Sequence, residues 1–95
     1  MNNSIRVWVH NQNRTNLLGV IIAAPLEDGH IGIGWSKCNK KDVFSKEKAV
    51  LIAESRIQHG SNAALPYFYE DLVLRFAERA QRYYKDKSVL ICNQY

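Results

Sequence analysis

Leu17-Leu18-Gly19-Val20-Ile21-Ile22-Ala23-Ala24 is broken by Pro25-Leu26-Glu27-Asp28-Gly29 and resumed as His30-Ile31-Gly32-Ile33-Gly34-Trp35. The fold turns on this stretch. Its first run is apolar throughout and β-branched at its centre, which suits a strand covered on both faces or a central strand covered by helices. Asp28-Gly29 is a strong hairpin signal, because a tight turn needs positive φ and glycine supplies it without steric cost. Upstream, Ile5-Arg6-Val7-Trp8-Val9-His10 places Ile5, Val7 and Val9 on one side at period 2, the pattern of a half-buried strand. The polar, Asn-rich residues from Asn11 to Asn16 between the first two runs read as a loop. Together the three runs predict an antiparallel meander.

Downstream the period changes. Ser45 is placed to cap a helix whose apolar positions Ala49, Ile52, Ala53 and Ile57 follow the 0, 3, 4, 8 spacing, with Gly60 as its stop. Pro66 stands at the first turn of a second, longer helix with Phe68, Leu72, Val73, Phe76, Ala77, Ala80 and Tyr84 on one face. Ser88-Val89-Leu90-Ile91-Cys92 reads equally as a short last strand or a terminal coil. Strands grouped before helices predict an α+β fold of order β-β-β-α-α(-β), with both helices packed on one face of the sheet. No internal repeat interrupts residues 1–95, which read as one domain.

A chain of 95 residues, 46% hydrophobic and 23% charged, can bury about two thirds of its unfolded surface, enough for one modest core. Disorder is excluded by that composition. Cys38 and Cys92 are the only cysteines, and no charged start followed by an apolar leader is visible, so the expected setting is the reducing cytoplasm. The longest apolar run, Val20 to Ala24, is too short to span a bilayer, so no membrane partner is expected. Thirteen Lys+Arg against nine Asp+Glu give a net charge of +4, enough to draw the chain to polyanions without requiring one.

Gly29-His30-Ile31-Gly32-Ile33-Gly34 has neither the spacing nor the strand-to-helix context of a phosphate-binding loop. Gly32 and Gly34 instead share one strand face, where a helix can approach the backbone closely, and that reading stands ahead of a ligand. From Ser36 to Lys48, Lys37, Lys40, Lys41, Lys46 and Lys48 face only Asp42 and Glu47, so three of the four net charges fall just before the first helix. A helix start adds N–H donors and a positive dipole end, so this segment reads as an anion site or as a solvated loop. Asp42 can receive the first helical N–H groups, Phe44 can pack beneath the first turn, and Lys40, Lys41 and Lys46 are left pointing outward. Arg75, Arg79 and Arg82 form one stripe suited to a phosphate backbone. Asp71 with Arg75 and Glu78 with Arg82 are i, i+4 acid-to-base pairs, which favours a self-stabilised helix face. Trp8 falls opposite Val7 and Val9, which predicts either a stacking platform or a contact between copies in a homo-oligomer. His10, His30 and His59 are scattered, with no acid or thiol at ligand spacing, so no metal, no cofactor and no catalytic residues are expected.

The run from Ile31 to Lys46, with Cys38, Lys41, Asp42, Phe44 and Lys46, followed by Ile52-Ala53-Glu54-Ser55-Arg56, resembles a recurrent pattern in small, mostly uncharacterised bacteriophage proteins. There a strand ending in Cys or Ser leads to a Lys-Asp-x-Phe-x-Lys turn and a helix carrying Ile-Ala-x-x-Arg. Those forms often carry Gly in the helix where this chain has Ala49 or Val50. The resemblance covers about a third of the chain and implies a phage-encoded accessory protein, a class rich in inhibitors of host enzymes and defence systems.

The expected function is a non-enzymatic binding protein that occupies a host protein or sequesters a nucleotide signal, as a homo-oligomer. The alternative is a basic nucleic-acid-binding protein. Expected anion- or partner-binding residues are Trp35, Lys37, Lys40, Lys41, Lys46 and Arg56, with Trp8 for stacking or oligomer contact and Arg75, Arg79 and Arg82 as a secondary stripe.

Overall fold

The computed structural model describes residues 3–11, 16–38, 43–59, 65–85 and 87–91. Three strands, β1 (Ile5–His10), β2 (Leu17–Pro25) and β3 (Ile31–Lys37), precede α1 (Lys46–His59). A 3-10 turn (Tyr67–Tyr69) then leads into α2 (Glu70–Tyr83) and β4 (Val89–Ile91). The sheet order is β1-β2-β3-β4. β1–β2 and β2–β3 are antiparallel, and β4 runs parallel to β3. The α+β class and the element order are as the sequence predicts, and the C-terminal segment is a strand. Gly29 closes the β2–β3 hairpin at φ 91, with its N–H donating to the Leu26 carbonyl at 3.1 Å. The Asp28 carboxylate accepts from the His30 N–H at 3.0 Å, and this bond, with the imidazole beside it, holds the carboxyl below its ordinary range.

The placing of the helices departs from expectation: they do not share a face. Val20, Ile22 and Ala24 of β2 pack with Ala49, Ala53 and Ile57 of α1. Ile21 and Ala23 of β2, together with Ile31, Ile33 and Trp35 of β3, pack with Tyr69 and with Val73, Phe76 and Ala80 of α2. The reason is in β2 itself, whose successive residues point to opposite faces and are apolar on both, so each face needs its own cover. The result is a sheet between two helices.

Glycines set the height of α1. A Cβ on Gly34 would lie 2.2 Å from the Ala53 carbonyl oxygen, and one on Gly32 would lie 2.9 Å from the Ile57 side chain, so helix packing is what the bare strand face serves. The Ser45 hydroxyl caps α1 by accepting the Lys48 N–H at 3.3 Å. Phe44 packs beneath the first turn as expected. The Gly60 stop and the Asp42 cap lie outside the described residues, as does Cys92.

Two further expectations shift. The buried stripe on α2 begins at Tyr69 and runs through Val73, Phe76 and Ala80, leaving Leu72 38% exposed and Phe68 outside the core. Pro66 opens a 3-10 turn, and that turn, not α2 itself, sets the helix phase. Ile52 of α1 is likewise exposed. Trp8 is half-buried on the α1 face, edge-on to Phe44 at 6.3 Å between centroids.

Tyr69 joins the layers. Fully buried, it donates its hydroxyl to the Ser36 carbonyl at 2.9 Å and meets Trp35 edge-on at 5.8 Å. Burial pushes the hydroxyl above its ordinary value of 10.0, with the Arg56 charge pulling the other way. A phenol whose folded pKa is raised contributes stability that is fully present below pH 10 and is lost as the pH climbs further. Denaturant titrations of the parent between pH 9 and 12 are therefore expected to show a falling midpoint above about pH 10. Tyr69→Phe should be less stable at pH 8 by about 1 kcal/mol, from the lost hydrogen bond, and fall less steeply at high pH. Parallel alkaline limbs in the two proteins would count against Tyr69 as the source.

Candidate anion-binding pocket at the start of α1

Alternation along β3 puts Ser36 in step with Gly32 and Gly34, on the α1 side, at the place where the first turn of that helix crosses the strand. Its side chain is 1% exposed, and among the described residues its hydroxyl oxygen has no hydrogen-bond partner. A buried hydroxyl left unpaired costs about 1–3 kcal/mol, so its presence calls for an explanation. Around it lies a cavity of 190 Å³ lined by Ser36, Lys37, Cys38, Val43, Phe44, Ser45, Lys48, Ala49 and Ile52.

The chemistry of this pocket is two-sided. On the polar side the Lys48 N–H is taken by the Ser45 cap and the Ala49 N–H by the Ser45 carbonyl. Lys48 itself and the positive end of a 14-residue helix complete this side. On the apolar side Phe44, Ala49 and Ile52 form a wall, with the fully exposed Val43 at its rim. An anion carrying a flat apolar group matches both.

The expected site residues are distributed as follows. Trp35 is 3% exposed, with Tyr69 at its edge and the Arg56 guanidinium 4.3 Å from its ring centroid. Arg56 also donates to the Trp35 carbonyl at 2.8 Å. These two residues therefore engage each other, closing the part of the β3 edge that lies beyond the three-residue β4, and leave no ring face for stacking a ligand. The Lys37 ammonium sits 5.8 Å from the Phe68 ring on the α2 side, and the Lys46 ammonium 5.4 Å from the Trp8 ring. Lys40 and Lys41 lie outside the described residues. Ser36, Ser45 and Lys48 carry the polar side of the pocket instead. Ser36 was legible in the phase of the glycines, two residues beyond Gly34, but a serine without its hydrogen-bond inventory gives no signal.

A second recess lies on the other face. α2 covers β2, β3 and β4, and between it and β1 a groove of 510 Å³ is lined by Val7, Val9, His10, Leu72, Arg75, Phe76 and Arg79 among others. Among the described residues no ion pair joins Asp71 to Arg75 or Glu78 to Arg82. The described residues hold no cluster of His, Cys, Asp or Glu fit for a metal, and no helix among them is long and apolar enough to cross a membrane. No family model matches the chain, and no curated protein or solved structure matches it.

Proposed function

We propose that this chain is a non-enzymatic accessory binding protein, of the kind its phage resemblance suggests, that sequesters a nucleotide-type ligand in the pocket at the start of α1. One observation carries the reading: the Ser36 hydroxyl is buried, without a hydrogen-bond partner among the described residues, and set in the wall of a cavity at a helix N-terminus. A phosphate oxygen gives that hydroxyl an acceptor and meets the positive end of α1 and the Lys48 ammonium. The base or another planar group rests on Phe44, Val43 and Ile52. Nothing in this scheme breaks a bond, and the host cytoplasm is where such a ligand would be intercepted.

The experiment is titration calorimetry with AMP and with inorganic phosphate, paired with thermal melts. AMP should bind and raise the Tm, and phosphate alone should bind more weakly because it leaves the apolar wall uncovered. Ser36→Ala should separate binding from folding: AMP affinity falls about tenfold while the free protein is stabilised by about 1 kcal/mol, since the unpaired hydroxyl is gone. Lys48→Glu should weaken AMP at unchanged stability. No response to AMP, or an equal response in parent and Ser36→Ala, would sink the proposal.

A further inference from the structure

We infer that the free edge of β1, with the groove beside it, receives an extended acidic segment of a partner protein as a fifth strand. This inference stands apart from the α1 pocket, which lies on the opposite face of the sheet.

The backbone alternation identifies the docking groups. The Cys38 N–H donates to the Leu18 carbonyl, and the Ile31 N–H donates to the Ser88 carbonyl. Leu18, Val20, Ile22 and Ala24 therefore direct their backbone groups to β3, whereas Gly19, Ile21 and Ala23 direct theirs to β1. Their partners in register are Val9, Val7 and Ile5. The N–H and C=O groups of Arg6, Trp8 and His10 are thus left facing outward, and among the described residues no strand pairs with them. An edge of this kind is a template for an added strand.

The groove fixes the chemistry of the occupant. A strand added to β1 would direct alternate side chains towards Val7, Val9 and Leu72 and towards the exposed Arg75 and Arg79, which stand one turn apart on α2. No carboxylate lines this groove. Acidic residues alternating with apolar ones satisfy both surfaces. A second copy of this chain does not, because pairing β1 with itself brings Arg6, His10 and the arginines of both grooves to one seam, between molecules of net charge +4. A nucleic acid matches the arginines but not the alternating donors and acceptors of a strand edge, half of which are carbonyls.

The test uses a fluorescein-labelled peptide of alternating Glu and Val and its Lys/Val counterpart. The Glu/Val peptide should bind the full chain in fluorescence anisotropy and slow amide hydrogen exchange at Arg6, Trp8 and His10 by at least about tenfold. The Lys/Val peptide should not bind. Arg75→Glu/Arg79→Glu should weaken the acidic peptide by at least about tenfold and admit the Lys/Val peptide, whereas Arg82→Glu, outside the groove, should change little. The same double variant should bind AMP as the parent does, so failure here is distinct from failure of the α1 pocket. Three results would overturn the inference: binding without protection of the β1 amides, binding unaffected by the double variant, or oligothymidylate held in the groove more tightly than the acidic peptide.

Discussion

Gly34→Ala is expected to cost about 3 kcal/mol, the upper end of what overpacking usually costs, and so to lower the Tm by roughly 10–20 °C for a domain this size. The added methyl would stand 2.2 Å from the Ala53 carbonyl oxygen and 2.6 Å from the Ile57 side chain. The first is backbone in the middle of α1, so relief requires the helix to lift from the sheet. Lifting it parts Ala49, Ala53 and Ile57 from Val20, Ile22 and Ala24 together. Gly32→Ala should be milder, because its added methyl meets the γ-methyl of Ile57 and the δ-methyls of Leu26, side chains rather than helix backbone. Gly29→Ala separates sterics from backbone strain: nothing lies within 4 Å, and its cost, about 1 kcal/mol, comes from the positive φ alone. Urea titrations of the three variants should therefore rank them Gly34 well above Gly32 and Gly29. A Gly34→Ala protein within 1 kcal/mol of the parent would mean that α1 does not rest on this strand.

Phe76→Ala should cost about 3–5 kcal/mol and Leu72→Ala less than about 1 kcal/mol. Phe76 is 4% exposed in the cluster with Ile21, Ile33, Trp35 and Tyr69, so truncation leaves a cavity between helix and sheet. Leu72 is 38% exposed on the rim of the β1–α2 groove, where water already reaches it. Both positions read as buried from helical periodicity, and only the phase set by the Tyr67–Tyr69 turn separates them. Equal costs for the two truncations would return α2 to the orientation that periodicity suggests.

The legibility of the sites follows the same division. The basic segment before α1 adjoins the pocket, but of its described lysines only Lys37 and Lys48 line it. Lys37 lies across Phe68 and Lys46 beside Trp8, because a long aliphatic side chain with an aromatic ring in reach gains more from covering it than from standing in water. Arg75, which helix spacing assigned to a pair with Asp71, stands without it and with Arg79 rims a groove. An i, i+4 pair on a solvated surface is worth only a few tenths of a kcal/mol, too little to fix side chains against other demands.

By itself the sequence determined the strands, their order, the Asp28-Gly29 hairpin, the Ser45 cap and the bare face of β3. Each of these depends on local conformational preference or on a repeat of two or 3.6 residues. Tertiary structure alone decided that the helices take opposite faces, that β4 joins β3 in parallel, that Arg56 closes on Trp35 and that the Ser36 hydroxyl lies in a cavity wall with no partner among the described residues. These depend on which surfaces meet. β2 is apolar on both sides, so local pattern permits either face to each helix, and only the simultaneous burial of Val20, Ile22 and Ala24 on one side and Ile21 and Ala23 on the other selects the arrangement.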